Sequence, residues 1–202
     1  WESDQHNAKK IIIDPPFKGR KAKQSSFNNA VTEYISKDSF DLVQSHERFS
    51  GCHIFRAGDG VHKVWLQQKA LISNPLQTWW LQRSNYHKAL LIEEQKMFEN
   101  PSLKKVICNS KMVKQEILDN FKINKDKIDV IYNGVDTHSF TPATATQKQQ
   151  RRKELNIPSN ALVFIFSGSG FERKNLSTTL KAFAQLPNDV ESQAYLIIAG
   201  RD

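Results

Sequence analysis

The chain has no apolar run near the ~20 residues that a membrane-spanning helix needs, no signal-peptide pattern and no internal repeat. Its two cysteines, Cys52 and Cys108, lie far apart and form no Cys-x-x-Cys. That usage argues against a disulfide framework or a zinc site and fits a reducing cytosol. Cys108 lies in the apolar run KKVICNS and reads as core. Helix-turn-helix, RNP-like and zinc patterns are missing too, so a nucleic-acid-binding module has only bulk charge in its favour. Two phosphate-loop signatures also fail. A Walker A loop needs Gly-Lys-Ser/Thr, whereas Lys174 follows Arg173 and precedes Asn175. A dinucleotide fingerprint needs a third glycine after Gly168 and Gly170, and Arg173 stands there.

What is present is cationic and strand–helix alternating. The 202 residues carry 29 Lys and Arg against 21 Asp and Glu, a net charge of +8. That suits an anionic partner such as nucleic acid, anionic lipid or a phosphorylated substrate. Solvated surface lysines would explain it equally well. Short apolar runs at 9–14, 40–45, 52–57, 104–109, 127–133, 161–167 and 194–200 read as strands. Helical patterns lie at 24–37, 62–73, 74–98, 110–121, 147–156 and 175–186. The alternation predicts an α/β fold with a parallel sheet covered on both faces. The Pro/Thr/Ala-rich stretch THSFTPATATQ supplies a linker at 137–146. It separates most of one domain, 1–136, from the start of a second, 147–202.

In such sheets, ligands sit at the carboxyl ends of strands, and three of those ends carry chemistry. His46 and Glu47 follow one strand; Gly58, Asp59, Gly60 and His62 follow the next. In the second domain, FIFSGSGFERKNLSTTLKAF (164–183) runs from strand through two glycines and an Arg-Lys pair into a helix. The N–H groups and dipole of a helix start favour an anion, so this turn reads as a phosphate cradle with two cations in place of further glycines.

The segment 62–91 gathers Trp65, Trp79, Trp80 and Tyr86 with Lys63, Lys69, Arg83 and Lys88. Leu76, Trp79, Trp80, Tyr86, Leu90 and Met97 recur at helical spacing, which predicts an aromatic stripe packed on the sheet. An interfacial helix on anionic lipid is the other reading, available to a different face.

ICNSKMVKQEIL, KIDVIYNGVDTHSFTP and the Gly168–Lys174 turn together resemble the family-4 retaining glycosyltransferases of GT-B fold. Within that family the sequence is most similar to the lipopolysaccharide core glucosyltransferase group. The resemblance implies parts of two Rossmann-like domains, with the Asn133–Pro142 signature marking the passage between them. It implies a nucleotide-sugar donor, UDP-glucose, held in an interdomain cleft without metal or cofactor. Arg173 and Lys174, with Gly168 and Gly170, would bind its diphosphate. His62 would hydrogen-bond the transferred sugar, while His46, Glu47, Asp59 and Asn133 would line the cleft. The implied reaction is retaining hexosyl transfer to a lipid-linked saccharide such as the lipopolysaccharide inner core, at the inner face of the cytoplasmic membrane. Capsule or exopolysaccharide is an alternative acceptor. His138 and Ser139 occupy ground where many relatives carry an Arg, which removes one donor contact. The family's Gly-Gly loop would precede Trp1 and its glutamate pair would follow Asp202. The chain therefore reads as the middle of a longer enzyme, not expected to turn over alone.

Overall fold

A computed structural model of the chain describes residues 9–201. The chain divides into two compact units, Trp1–Gly134 and Val135–Asp202.

The first unit is built on a four-stranded parallel sheet of order β1-β2-β3-β4. Its strands are β1 (Gln44–Ser45), β2 (Ile54–Ala57), β3 (Lys105–Cys108) and β4 (Ile128–Val130). Around it run α1 (Gly19–Lys37), α2 (His62–Leu71), α3 (Pro75–Arg83), α4 (Asn85–Phe98) and α5 (Lys111–Asn120). Successive strand side chains point to opposite faces. Phe55, Ala57, Val106 and Cys108 are accordingly buried while Ile54, Arg56 and Ile107 are half-buried. Met97 and Phe98 of α4 and Val113 and Ile117 of α5 belong to the same core cluster. Phe98 meets Phe55 edge-on at 5.6 Å and Phe121 at 4.6 Å between ring centroids. Fully burying one such side chain is worth about 1.5–3 kcal/mol. Cys52 and Cys108 are sealed in this core, and burial pushes both thiols up to about 11. Neither is expected to react with Ellman's reagent at pH 8 until the chain unfolds. Rapid labelling of the native protein would mean that the sheet opens there.

Three sequence expectations are corrected here. The run 9–14 forms no strand. Pro15 and Pro16 cannot donate to a ladder, and Ile12 is left 78% exposed. The run 40–45 keeps only two residues as strand. The helix expected over 74–98 is broken at Ser84, whose φ of −58° and ψ of 118° lie outside the helical region. Ser84 ends α3 by donating its N–H to the Leu81 carbonyl and starts α4 by accepting from the His87 N–H. The break uncouples the two halves of the apolar stripe. The α4 half buries Leu90, Met97 and Phe98, whereas α3 buries no residue.

The second unit carries α6 (Ala145–Glu154), β5 (Leu162–Ser167), α7 (Leu176–Phe183), α8 (Asn188–Glu191) and β6 (Ala194–Ala199). The two strands pair in parallel from Leu162↔Ala194 to Ser167↔Ala199. Thr144 and Gln147 form a reciprocal cap at the start of α6, so this helix begins two residues earlier than the sequence pattern suggests. Arg152 then donates to the carbonyls of Pro158 and Ala161, tying α6 to the entry of β5.

Candidate functional site

The turn after β5 is shaped by two glycines. Gly168 and Gly170 have φ of +150° and +76°, a region that side-chain-bearing residues rarely enter. Gly168 also leaves room for a cation, while Gly170 stands in ordinary contact with one. A Cβ on Gly168 would stand 3.3 Å from Lys174 Cε, and one on Gly170 would stand 3.7 Å from Arg173 Nε. The Lys174 N–H donates to the Gly170 carbonyl at 2.9 Å, closing the turn before Asn175 starts α7. Arg173 and Lys174 are exposed, and no ion pair among the described residues engages either one. Two charged groups thus stand beside a helix start with no ion-pair partner among the described residues.

The first unit has its own cavity, of about 270 Å³, at the carboxyl ends of β1 and β2. His46, Arg48, Arg56 and the loop Gly58–Asp59–Gly60–Val61 line it. His46 lies 3.1 Å from the Gln44 amide. Asn133 does not line this cavity but accepts from Arg56 Nη2 at 2.7 Å, which holds the Arg56 guanidinium. Glu47 faces elsewhere, into a different depression beside Asp14, Phe17 and Tyr86. Of the four expected cleft residues, His46 and Asp59 share this cavity, Asn133 is bonded to its Arg56, and Glu47 lies apart.

His62 does not line the cavity either. It begins α2 and is 9% exposed, its ring stacked on Trp65 at 5.5 Å. Nε2 lies 3.0 Å from His87 Nδ1, so one imidazole donates and the other accepts. Burial, the Arg48 charge and His87 together push its pKa down to about 4. The sequence expected this imidazole to open onto a bound sugar; the structure places it in a cluster with the Trp65 and His87 rings.

Several participants escaped the sequence reading. Glu94 is 2% exposed, accepts from Arg48 Nε at 2.9 Å and takes the His62 N–H at 3.0 and 3.1 Å. Glu116 accepts from the Val61 N–H at 3.0 Å. One signal was available, a carboxylate within the α4 stripe of Leu90, Met97 and Phe98, and Glu93 shares it with Glu94. In the Asn-Gly-Val-Asp signature, Asp136 acts locally. It accepts from the backbone N–H groups of His138 and Ser139 and from the Ser139 hydroxyl, and these bonds lower its pKa.

The outer face of α2 and α3 differs in character. Trp65, Trp79 and Trp80 are 49%, 43% and 64% exposed, with Leu71, Ile72 and Leu76 exposed beside them. The Arg83 guanidinium sits 4.3 Å from the centroid of the Trp79 ring. The expectation that Trp79 and Trp80 pack on the sheet is overturned, because the helix break leaves α3 outside the core; Trp65, on α2, is 49% exposed as well.

Residues 2–139 match the sequence family described as Glycosyltransferase Family 4. The chain belongs to Glycosyltransferase Family 4. Among curated proteins of similar sequence, a D-inositol 3-phosphate glycosyltransferase of Corynebacterium aurimucosum is 24% identical over 169 residues, covering 80% of this chain and 38% of that protein. An uncharacterized glycosyltransferase of Methanocaldococcus jannaschii is 30% identical over 95 residues, covering 47% of this chain and 23% of its own length. The crystal structure of WaaG, a glycosyltransferase involved in lipopolysaccharide biosynthesis, superposes with a TM-score of 0.73. It does so at 15% identity over 91% of this chain and 48% of that one, a likeness of fold. The fold is therefore GT-B, and the family activity is glycosyl transfer. The chain spans less than half the length of these relatives.

Proposed function

We propose that the whole protein transfers a hexose, glucose from UDP-glucose, onto a lipid-linked saccharide such as the lipopolysaccharide inner core, with retention of configuration. The observation that carries this reading is the pair of exposed cations, Arg173 and Lys174, on a glycine-shaped turn at the start of α7. Cleaving the bond between the anomeric carbon and the β-phosphate oxygen puts negative charge on that phosphate. A guanidinium and an ammonium at the turn stabilise it through charge-assisted hydrogen bonds. The departing phosphate oxygen then takes the acceptor hydroxyl's proton while the new glycosidic bond forms on the same face. No side-chain base is needed.

The acceptor is assigned to the first unit, whose cavity presents His46, Asp59 and Arg56 at strand ends. Incubating the full-length protein with UDP-glucose and vesicles carrying inner-core lipopolysaccharide tests the reading. UDP release that depends on those vesicles supports it, and release indifferent to them removes the lipid-linked acceptor. A phosphorylated polyol is a second acceptor reading. Its support is the half-buried Arg56 guanidinium, which has an amide but, among the described residues, no carboxylate partner, together with the curated inositol-phosphate relatives.

A lipid-linked acceptor also calls for a membrane surface, and the face of α2 and α3 suits one. Lys63, Lys69, Arg83 and Lys88 lie in a segment, 62–92, that contains no Asp or Glu. Each cation near an anionic leaflet contributes about 1 kcal/mol, and the exposed indoles add a shallow apolar term. The full-length protein is expected to float with vesicles containing anionic lipid at low salt, and Trp80→Ala to weaken that binding. Flotation insensitive to both salt and lipid charge would contradict this assignment.

A further inference from the structure

The first helical residue of α2, His62, follows an N-cap, Val61, that has no side chain able to accept a hydrogen bond. A helix start leaves four N–H groups without partners inside the helix. Here two of them are met from a distance. Glu94 of α4 takes the His62 N–H with both carboxylate oxygens, and Glu116 of α5 takes the Val61 N–H. Arg48 completes the arrangement, donating Nε to Glu94 and Nη2 to the Gly60 carbonyl at 3.1 Å. Three separate segments thus converge on Gly60–His62, at the end of the loop 58–61 that forms a wall of the cavity.

Glu94 is the one buried carboxylate among the described residues. A buried ion pair is weak as a stabiliser, since an apolar residue of similar size would often serve the core as well or better. A carboxylate at a helix start is favourable, but any serine or aspartate at position 61 could supply that locally. What the distant carboxylate does, and a local cap would not, is fix the loop relative to α4 and the loop carrying Arg48. We propose that Glu94 is a positioning residue of the transferase, holding the 58–62 loop so that Asp59 and the Gly60 backbone face the acceptor. This rests on the assignment of the cavity to the acceptor. Glu94 lines the cavity too, but its two oxygens are engaged by Arg48 and the His62 N–H, so its effect runs through the backbone that it holds.

The test uses the full-length enzyme, UDP-glucose and inner-core lipopolysaccharide vesicles. Glu94→Gln keeps the shape but removes the charge opposite Arg48 and, with its oxygen kept toward Arg48, sets an amide N–H against the His62 N–H. It is expected to raise the acceptor KM by about tenfold or more, the scale set by ångström misplacement, with the KM for UDP-glucose unchanged. Amide exchange at His62 should accelerate alongside. A role confined to stability would lower the melting temperature and leave the acceptor KM where it was; that result overturns the proposal. If Glu94→Gln does not fold, Glu116→Gln decides, since Glu116 is half-buried and holds the neighbouring Val61 N–H. A several-fold rise in acceptor KM alone supports positioning, and an unchanged value sinks it. A wild-type enzyme with no vesicle-dependent UDP release is a different failure, that of the acceptor assignment itself.

Discussion

Replacing Lys174 by alanine in the full-length transferase is expected to lower kcat by about 30- to 1000-fold, the effect of losing ~2–4 kcal/mol of electrostatic stabilisation. Folding should barely register the change. Lys174 is exposed and takes no part in an ion pair among the described residues, so removing its ammonium leaves no buried partner unsatisfied. Arg173→Ala should act in the same direction. The double variant should fall short of the product of the single effects if both cations serve the same phosphate, as groups that act as a unit are not additive. Gly168 supports them in a different way. A Cβ there would crowd the Lys174 stem in addition to straining a backbone at φ +150°. A Lys174→Ala enzyme with wild-type turnover would remove the diphosphate assignment from this turn.

The second large effect is one of pH on stability. In the unfolded chain His62 titrates near 6.5, whereas in the fold burial, Arg48 and His87 hold it near 4. Between those values the unfolded chain binds the additional proton. Stability therefore declines as the pH falls through this window and is level above it with respect to this group. At pH 4 the loss amounts to about 3 kcal/mol. Urea midpoints from pH 7.5 to pH 4 should fall more steeply for the wild type than for His62→Gln, which cannot titrate there. Carboxylates elsewhere contribute equally to both proteins and cancel in the comparison. Parallel curves would mean that this imidazole is not kept neutral.

The two parts of the candidate site were unequally visible in the sequence, for a physical reason. The β5–α7 turn is contiguous. Glycines, cations and helix start all fall within 168–176, so local pattern was enough to find it. The cavity of the first unit is assembled from Arg48, the 58–61 loop and Glu94, with Glu116 holding the Val61 N–H from behind, and these residues meet only after the sheet has formed. His62 and Glu94 stand 32 residues apart. Nothing in the local sequence singles out Glu94 from Glu93 beside it, yet Glu94 is the buried centre of the network. The parallel α/β architecture was legible because its strands are short apolar runs between helices. The break at Ser84 was not. Ser84 served in the reading as an ordinary helical residue, although serine favours a helix start, and that choice placed the α3 tryptophans in the core. The break exposes them and leaves a basic, indole-bearing face where a packed stripe was expected.

The most direct measurement is the anomeric configuration of the product. The full-length protein would be given UDP-glucose and inner-core lipopolysaccharide, and the new glycosidic linkage read by proton NMR. The expected result is an α-linked glucose, formed on the same face that the UDP leaves, and lost together with UDP release when Arg173 and Lys174 are both replaced by alanine. A β-linked product, or transfer that survives removal of both cations, would contradict it.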